Sequence, residues 1–291
     1  MASPKPAPVP AHPSTHPVLR PLFARTFPAV MGVLNVTPDS FSDGGEFFAA
    51  DSAIEHAQAM IAAGADIIDI GAESTRPYGN AKPVSAAEER ERLEPILSAV
   101  ADLGAPVSID TMKAEVAGWA VGQGARIIND VWGLQRDPQM AATVARHGVP
   151  VVIMHNREAA DPAIDIVKDM LVFFRRSLAI AADAGIPEGH IVLDPGIGFG
   201  KTPEQSMIAL ARLDELAALG YPLLVGASRK RFIASVSPSE PHDRLGGSIA
   251  AHMLAAQRGA RIIRAHDVAE TVQALRVAAA IEDKREDRDN R

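Results

Sequence analysis

The feature that most constrains the fold is an alternation. Eight short apolar runs, at residues 30–35, 66–70, 107–110, 126–129, 149–154, 190–194, 222–226 and 260–264, are separated by stretches of helical pattern. Runs this short and rich in Val and Ile fit strands covered on both faces, as parallel strands are. Start signals precede the helical stretches: Asp51 for the first, Ser85 with Glu88 for the second, Thr111 for the third, then Asp137-Pro138, Thr202-Pro203 with Gln205, and Asp267 with Glu270. Gly64, Gly104, Gly124, Gly148, Gly185, Gly220 and Gly259 mark helix ends. Eight strand–helix units in 291 residues predict an α/β (β/α)8 TIM barrel. An open doubly wound sheet is the other candidate, but no G-x-G-x-x-G follows the first run.

Nothing divides residues 28–281, so they read as one domain. Residues 1–27 are proline-rich, which predicts a disordered or extended tail without the apolar core of a secretory signal; His12 and His16 read there as solvated. Residues 282–291 are almost all charged and read as a fraying tail. With aromatic content at 4%, Ala, Val, Ile and Leu must fill the core. A net charge of −7 argues against nucleic-acid or anionic-membrane binding, and no apolar run reaches membrane-spanning length. The absence of cysteine rules out disulfides and thiolate chemistry and is consistent with a cytoplasmic protein.

A barrel carries its functional groups at the C-terminal ends of its strands. Polar residues stand at or just beyond the end of all eight runs: Asn35; Glu73, Ser74, Thr75 and Arg76; Asp110; Asn129; His155 and Asn156; Asp194; Ser228, Arg229 and Lys230; Arg264 and His266. A strand-end Asp is more often a helix cap than a ligand-binding group. Here Thr111 is available to cap in place of Asp110, and the helix after Asp194 starts several residues later. Carboxylates at Asp110 and Asp194 with the amide of Asn129 suit a ring that presents paired N–H donors, such as an aminopyrimidinone. Lys230 can donate to that ring's carbonyl oxygen or nitrogen. Arg76, Arg264, His266 and Asn35 suit phosphate or pyrophosphate, although Arg264 could instead pair with Asp267. The first run opens into the loop Thr37-Pro-Asp-Ser-Phe-Ser-Asp-Gly-Gly45, where Pro38 ends the ladder and Gly44-Gly45 can hinge.

The run Asp194-Pro-Gly-Ile-Gly-Phe-Gly-Lys-Thr202 fits neither a P-loop, which needs Gly where Pro195 stands, nor a dinucleotide fingerprint. No zinc spacing is present. A hard cation such as Mg2+, held by Asn35 and pyrophosphate oxygens, is compatible with the donors.

These motifs, in order, resemble the dihydropteroate synthase family across about residues 28–281: Asn35–Gly45, Gly71-Ala-Glu-Ser-Thr-Arg-Pro77, Ser108-Ile-Asp-Thr111, Ile128-Asn-Asp130, Leu193–Lys201, Ser228-Arg-Lys230 and Arg264-Ala-His266. The resemblance implies a (β/α)8 homodimer of folate biosynthesis. It would join a dihydropterin pyrophosphate to 4-aminobenzoate with Mg2+ and release pyrophosphate. It implies pterin contacts at Asp110, Asn129, Asp194 and Lys230; pyrophosphate and Mg2+ at Asn35, with Arg76, Arg264 and His266 on the pyrophosphate; and 4-aminobenzoate at Thr75, Phe41, Arg76, Ser228 and Arg231. Asp43, Phe41, Lys230 and Arg76 form the catalytic set that the resemblance implies, with Asp43 stabilising the pterin cation left when pyrophosphate departs first; no nucleophile poised beside a base argues for a covalent route. Sulfonamides, which mimic 4-aminobenzoate, would target the same site. Ala72 and Tyr78 depart from the usual family pattern in the second loop. A pterin-binding methyltransferase would leave Ser228-Arg-Lys230 and the long first loop unexplained, and a non-catalytic paralogue would be expected to lack an anion ligand.

Overall fold

The computed structural model describes residues 15–36, 46–73 and 84–289. The chain runs α1 (Arg20–Phe23), β1 (Ala29–Asn35), α2 (Glu46–Ala62), β2 (Ile67–Gly71), α3 (Ala86–Leu93), α4 (Leu97–Ala101), β3 (Val107–Asp110), α5 (Ala114–Gly122), β4 (Ile127–Asp130) and α6 (Met140–His147). It continues through β5 (Val151–Met154), α7 (Ile166–Asp183), β6 (Ile191–Asp194), α8 (Pro203–Ala211), α9 (Leu213–Ala217), β7 (Leu223–Val225), α10 (Arg231–Val236), α11 (Leu245–Gln257), β8 (Ala260–Ala265) and α12 (Val268–Asp289). The strands form a closed parallel barrel in sequence order, with β8 pairing back onto β1 through Val30 opposite Ile263. The predicted (β/α)8 barrel is therefore what the chain forms, and each run lies within a few residues of its strand.

Strand side chains alternate between the two faces, and the burial clusters follow that alternation. Val30, Ile68, Ile109, Ile128, Ile153, Leu193 and Ile263 face outward and pack under the helices. Met31, Ile67, Ile127, Val152, Val192, Leu224 and Ile262 face inward and fill the lower barrel. Two residues further along their strands stand Asp69, Asn129, Asp194 and Arg264. An apolar floor under a charged mouth is thus the direct result of a period-two pattern.

Leu19 and Leu22 belong to the same inward cluster, so residues 15–27 close the bottom of the barrel. This corrects the expectation of a disordered or extended tail over that span: Pro17 and Pro21 sit around a short helix, where a first-turn proline costs no hydrogen bond. At the other end, α12 runs through Asp289 and continues into the charged segment that was expected to fray.

The seven glycines expected at helix ends all have positive φ, between 65° and 108°. The caps are more mixed. Thr202 and Gln205 form the full reciprocal box. Ser85 Oγ accepts from Glu88 N, but the Glu88 carboxylate turns to Arg92. Asp51 lies inside α2 and caps nothing. Thr111 Oγ1 accepts from Lys113 N, ahead of α5; the N–H of Ala114 is taken by Asp137 Oδ2 at 2.8 Å. Asp137 Oδ1 also accepts from Gln139 N, so one carboxylate serves two helix starts and α6 begins at Met140. Asp267 starts α12 with its carbonyl, because Arg229 holds its side chain.

Candidate active site

The inward positions at the strand ends converge on a charged floor. Asp69, fully buried on β2, accepts from Arg264 Nε at 2.6 Å and from Asn129 Nδ2 at 3.2 Å. Arg264 also donates from Nη2 to Asp110 Oδ2 at 3.0 Å. Burial works against the Arg264 charge, but Asp69 and Asp110 outweigh it and its pKa is raised. Burial pushes Asp110 up to about 7, against the pull of Arg264 and with the help of the Asp69 charge. Asp194 is likewise raised by burial, to about 6, although Gly196 N donates to its Oδ1 at 2.8 Å.

Asp69 Oδ1, Asp110 Oδ1, Asn129 Oδ1 and Ser108 Oγ are buried with no hydrogen-bond partner among the described residues. Buried acceptors are normally paired, so this group marks a surface made to receive donors from elsewhere.

The wall beside the floor comes from the loops after β6, β7 and β8. Lys230 lays its ammonium over the Phe199 ring, 4.2 Å from the centroid, a cation–π contact. Ser228 Oγ lies 3.0 Å from His266 Nδ1 and accepts from His266 N at 3.2 Å, so it fixes both the ring and the backbone of that histidine. Arg229 stands at φ 57°, a left-handed conformation held from three sides. Its guanidinium pairs with Asp267, Ser248 Oγ accepts from its N–H, and Arg244 donates to its carbonyl. Arg264 is therefore not the partner of Asp267; Arg229 is. The two loops are bolted together beside the mouth.

Of the residues singled out in the sequence, Asp110, Asn129, Asp194, Lys230, Ser228, Arg264 and His266 line this end of the barrel, with Asn35 at the end of β1. Arg231 is exposed at the start of α10. Phe41, Asp43, Thr75 and Arg76 lie outside the described residues. Both flanks of the second loop are pinned: Arg92 donates to the Ala72 carbonyl at 2.8 Å, Lys113 pairs with Glu73, and Val84 N donates to Glu73 Oε1. His155 turns away from the floor, toward Asp169 and Lys201. Sequence reasoning missed Asp69 because it lies inside its run, while the polar residues taken for that strand were Glu73 to Arg76 beyond the run's end. Its parity would have revealed it: it stands two residues beyond inward Ile67, as Asn129 stands two beyond Ile127.

The sequence profile of pterin-binding enzymes matches residues 31–266. The chain is 47% identical over 256 residues to the dihydropteroate synthase of Bacillus subtilis, covering 88% of this chain and 89% of that protein. Among solved structures, the Xanthomonas albilineans dihydropteroate synthase with 4-aminobenzoic acid matches with a TM-score of 0.84 and 44% identity, over 88% of this chain and 94% of that one. The same enzyme in complex with 7,8-dihydropteroate matches at 0.80 and 42%, with the same coverage. A closed barrel, a buried acceptor floor and these relatives agree: the chain belongs to the dihydropteroate synthase family of pterin-binding enzymes.

Proposed function

We propose that the barrel mouth joins the methylene carbon of a dihydropterin pyrophosphate to the amine of 4-aminobenzoate, giving 7,8-dihydropteroate and pyrophosphate. The observation that carries this reading is the set of unpartnered buried acceptors at Asp69, Asp110 and Asn129, beside the Asp194 carboxylate. A pterin ring offers N–H donors on one edge, and a carboxylate facing two of them forms a strong bidentate contact. Asp110, Asn129 and Asp194 hold the ring, and Lys230 donates to its oxygen or nitrogen.

Asn35, Arg264 and His266 receive the pyrophosphate. Arg264 spends Nε and Nη2 on Asp69 and Asp110, which leaves Nη1 for the anion among the described contacts. Arg76 joins this group and Thr75, Phe41, Ser228 and Arg231 receive 4-aminobenzoate in this reading. The Ser228 hydroxyl reaches that substrate while also steadying His266. Asn35 offers one hard, neutral amide oxygen, a donor suited to a cation that takes its other ligands from phosphate oxygens and water. Mg2+ fits that set, and when bound it neutralises charge on the departing pyrophosphate.

The bond from the methylene carbon to the pyrophosphate oxygen breaks, and positive charge spreads over the pterin. The acceptor floor and Asp43 oppose that charge. The amine nitrogen then bonds to carbon and loses a proton. Incubation with both substrates, with and without Mg2+, followed by chromatography, tests the reading: dihydropteroate forms with Mg2+, and its absence overturns the assignment.

The homodimer rests on an apolar groove of about 330 Å3 between α8, α10 and α11, lined by Met207, Phe232, Val236, Gly247 and Leu254. Val236 is 70% exposed and Leu254 47%, unusual for large apolar side chains. A second copy of the chain buries this face. Light scattering reads a dimer, and Val236→Asp reads a monomer. In this reading the chain acts in the cytoplasm, with which a sequence free of cysteine is consistent.

A further inference from the structure

Close to Asp194 lies a second polar cluster that the reaction above does not use. Lys201 is 1% exposed, at the end of the glycine-rich loop between β6 and α8. Its ammonium lies 2.9 Å from the Gly196 carbonyl, 3.1 Å from the Phe199 carbonyl and 2.7 Å from His155 Nδ1. His155 Nε2 in turn lies 3.0 Å from Asp169 Oδ2, and Arg157 Nη1 donates to the other Asp169 oxygen at 2.8 Å. Burial, with Lys201 beside it, lowers His155 to about 4, so the ring is neutral: Nδ1 accepts from the ammonium and Nε2–H donates to Asp169.

The loop that Lys201 ties together carries two parts of the pterin site. Gly196 supplies the N–H that holds Asp194 Oδ1. Phe199 supplies the ring under the Lys230 ammonium, and a Cβ on Gly198 would stand 3.3 Å from the Lys230 stem. The loop packs too closely on its neighbours to carry a side chain at two of its glycines. At Gly196 a Cβ would stand 2.0 Å from the His155 carbonyl oxygen, and at Gly200 it would stand 2.4 Å from Arg157 Cβ. Three glycines at positive φ bring the loop carbonyls inward. Inward carbonyls need a buried donor, and Lys201 is the donor they meet.

We propose that Lys201 is a positioning residue for the pterin half of the reaction: its ammonium, backed by His155 and Asp169, holds the Gly196–Phe199 segment in the shape that places Asp194 and Lys230 on the ring. This rests on the pterin reading of the floor. A neutral amine offers one donor hydrogen fewer and no charge, so the segment loosens when Lys201 deprotonates. Burial lowers Lys201 to about 7. The charged groups that face it are Asp194 on β6, Asp169 on α7, Arg157 after β5 and Lys230 after β7. The two acids favour its charge, and Arg157 and Lys230 oppose it. The group is protonated below its pKa, so pterin affinity falls as pH rises through the neutral range. Removing the Asp169 charge moves that fall to lower pH.

Calorimetric titration with dihydropterin pyrophosphate from about pH 6 to about pH 9 tests this on the wild type, Lys201→Met and Asp169→Asn, each checked for folding by circular dichroism. Lys201→Met weakens binding by about tenfold or more, the worth of one charge-assisted hydrogen bond, and flattens the alkaline fall. Asp169 is 30% exposed at its side chain, so Asp169→Asn keeps the fold; it retains low-pH affinity and shifts the alkaline fall downward. If Lys201→Met does not fold, the Asp169→Asn shift decides. A wild type that binds no pterin overturns the reading of the floor and this inference with it. A wild type that binds, with Lys201→Met inside a factor of about two or with an unshifted Asp169→Asn profile, overturns this inference alone.

Discussion

At the scale of single residues, the site is a contest between burial and pairing. Asp194 has one oxygen on a backbone N–H and is raised to about 6 by burial. It must be ionised to accept two N–H donors, so pterin affinity falls as pH drops through about 6. Asp194→Asn replaces one acceptor oxygen by an amide donor. It weakens pterin binding by about 2–3 kcal/mol, leaves 4-aminobenzoate affinity less affected and removes the acid limb; calorimetry across pH reads all three. Asp69 has a different part. It touches Arg264 and Asn129 and orients both. Asp69→Asn leaves Arg264 half-paired in a buried site and costs about 3–5 kcal/mol of stability, read from urea unfolding. A loss below about 1 kcal/mol would show that solvent or a neighbour replaces the pair.

At the scale of elements, local signals and tertiary contacts divide the work of starting helices. The Thr202–Gln205 box is local, with both hydrogen bonds at 3.0 Å. It was legible because all its atoms lie within one turn. Thr202→Ala removes the acceptor and lowers stability by about 1 kcal/mol, measured as a shift in the denaturant midpoint at constant slope. The start of α5 was not legible, because the carboxylate that meets Ala114 N comes from Asp137, past the next strand. Thr111 is a competent cap by type, yet it sits too early for the helix that forms. Asp51 fails for a similar reason: α2 already includes it.

At the scale of the whole molecule, the barrel is a tube whose two ends differ in chemistry. The mouth carries the charges, and the bottom is closed by the segment around α1. Leu19 is 1% exposed and Leu22 5%, against Met31, Ile67 and Ile262. Leu19→Ala opens a cavity there and costs about 2–5 kcal/mol, seen as a lower melting temperature with substrate KM values unchanged. If catalysis falls instead while stability holds, the bottom of the barrel is coupled to the mouth more directly than a plug would be. The seven prolines before residue 28 pointed to a tail, because composition reports what a segment prefers alone. It does not report an apolar opening that two leucines can fill.

The sequence by itself determined the barrel, the eight strand ends and the donor–acceptor character of Asp110, Asn129, Asp194 and Lys230. It could do so because strand period, helix-end glycines and residue chemistry are local properties. Tertiary structure alone decided the partners. Asp69 meets Arg264 from 195 residues away, Arg229 rather than Arg264 takes Asp267, and His155 turns from the mouth to Lys201. Closure of the eight-stranded sheet creates these pairings: it brings β2 and β8 onto either side of β1 and puts their inward side chains into one dry, narrow tube. Inside that tube burial rewards a charge that meets a counterpart, and which counterpart is nearest is a matter of geometry that no local pattern records.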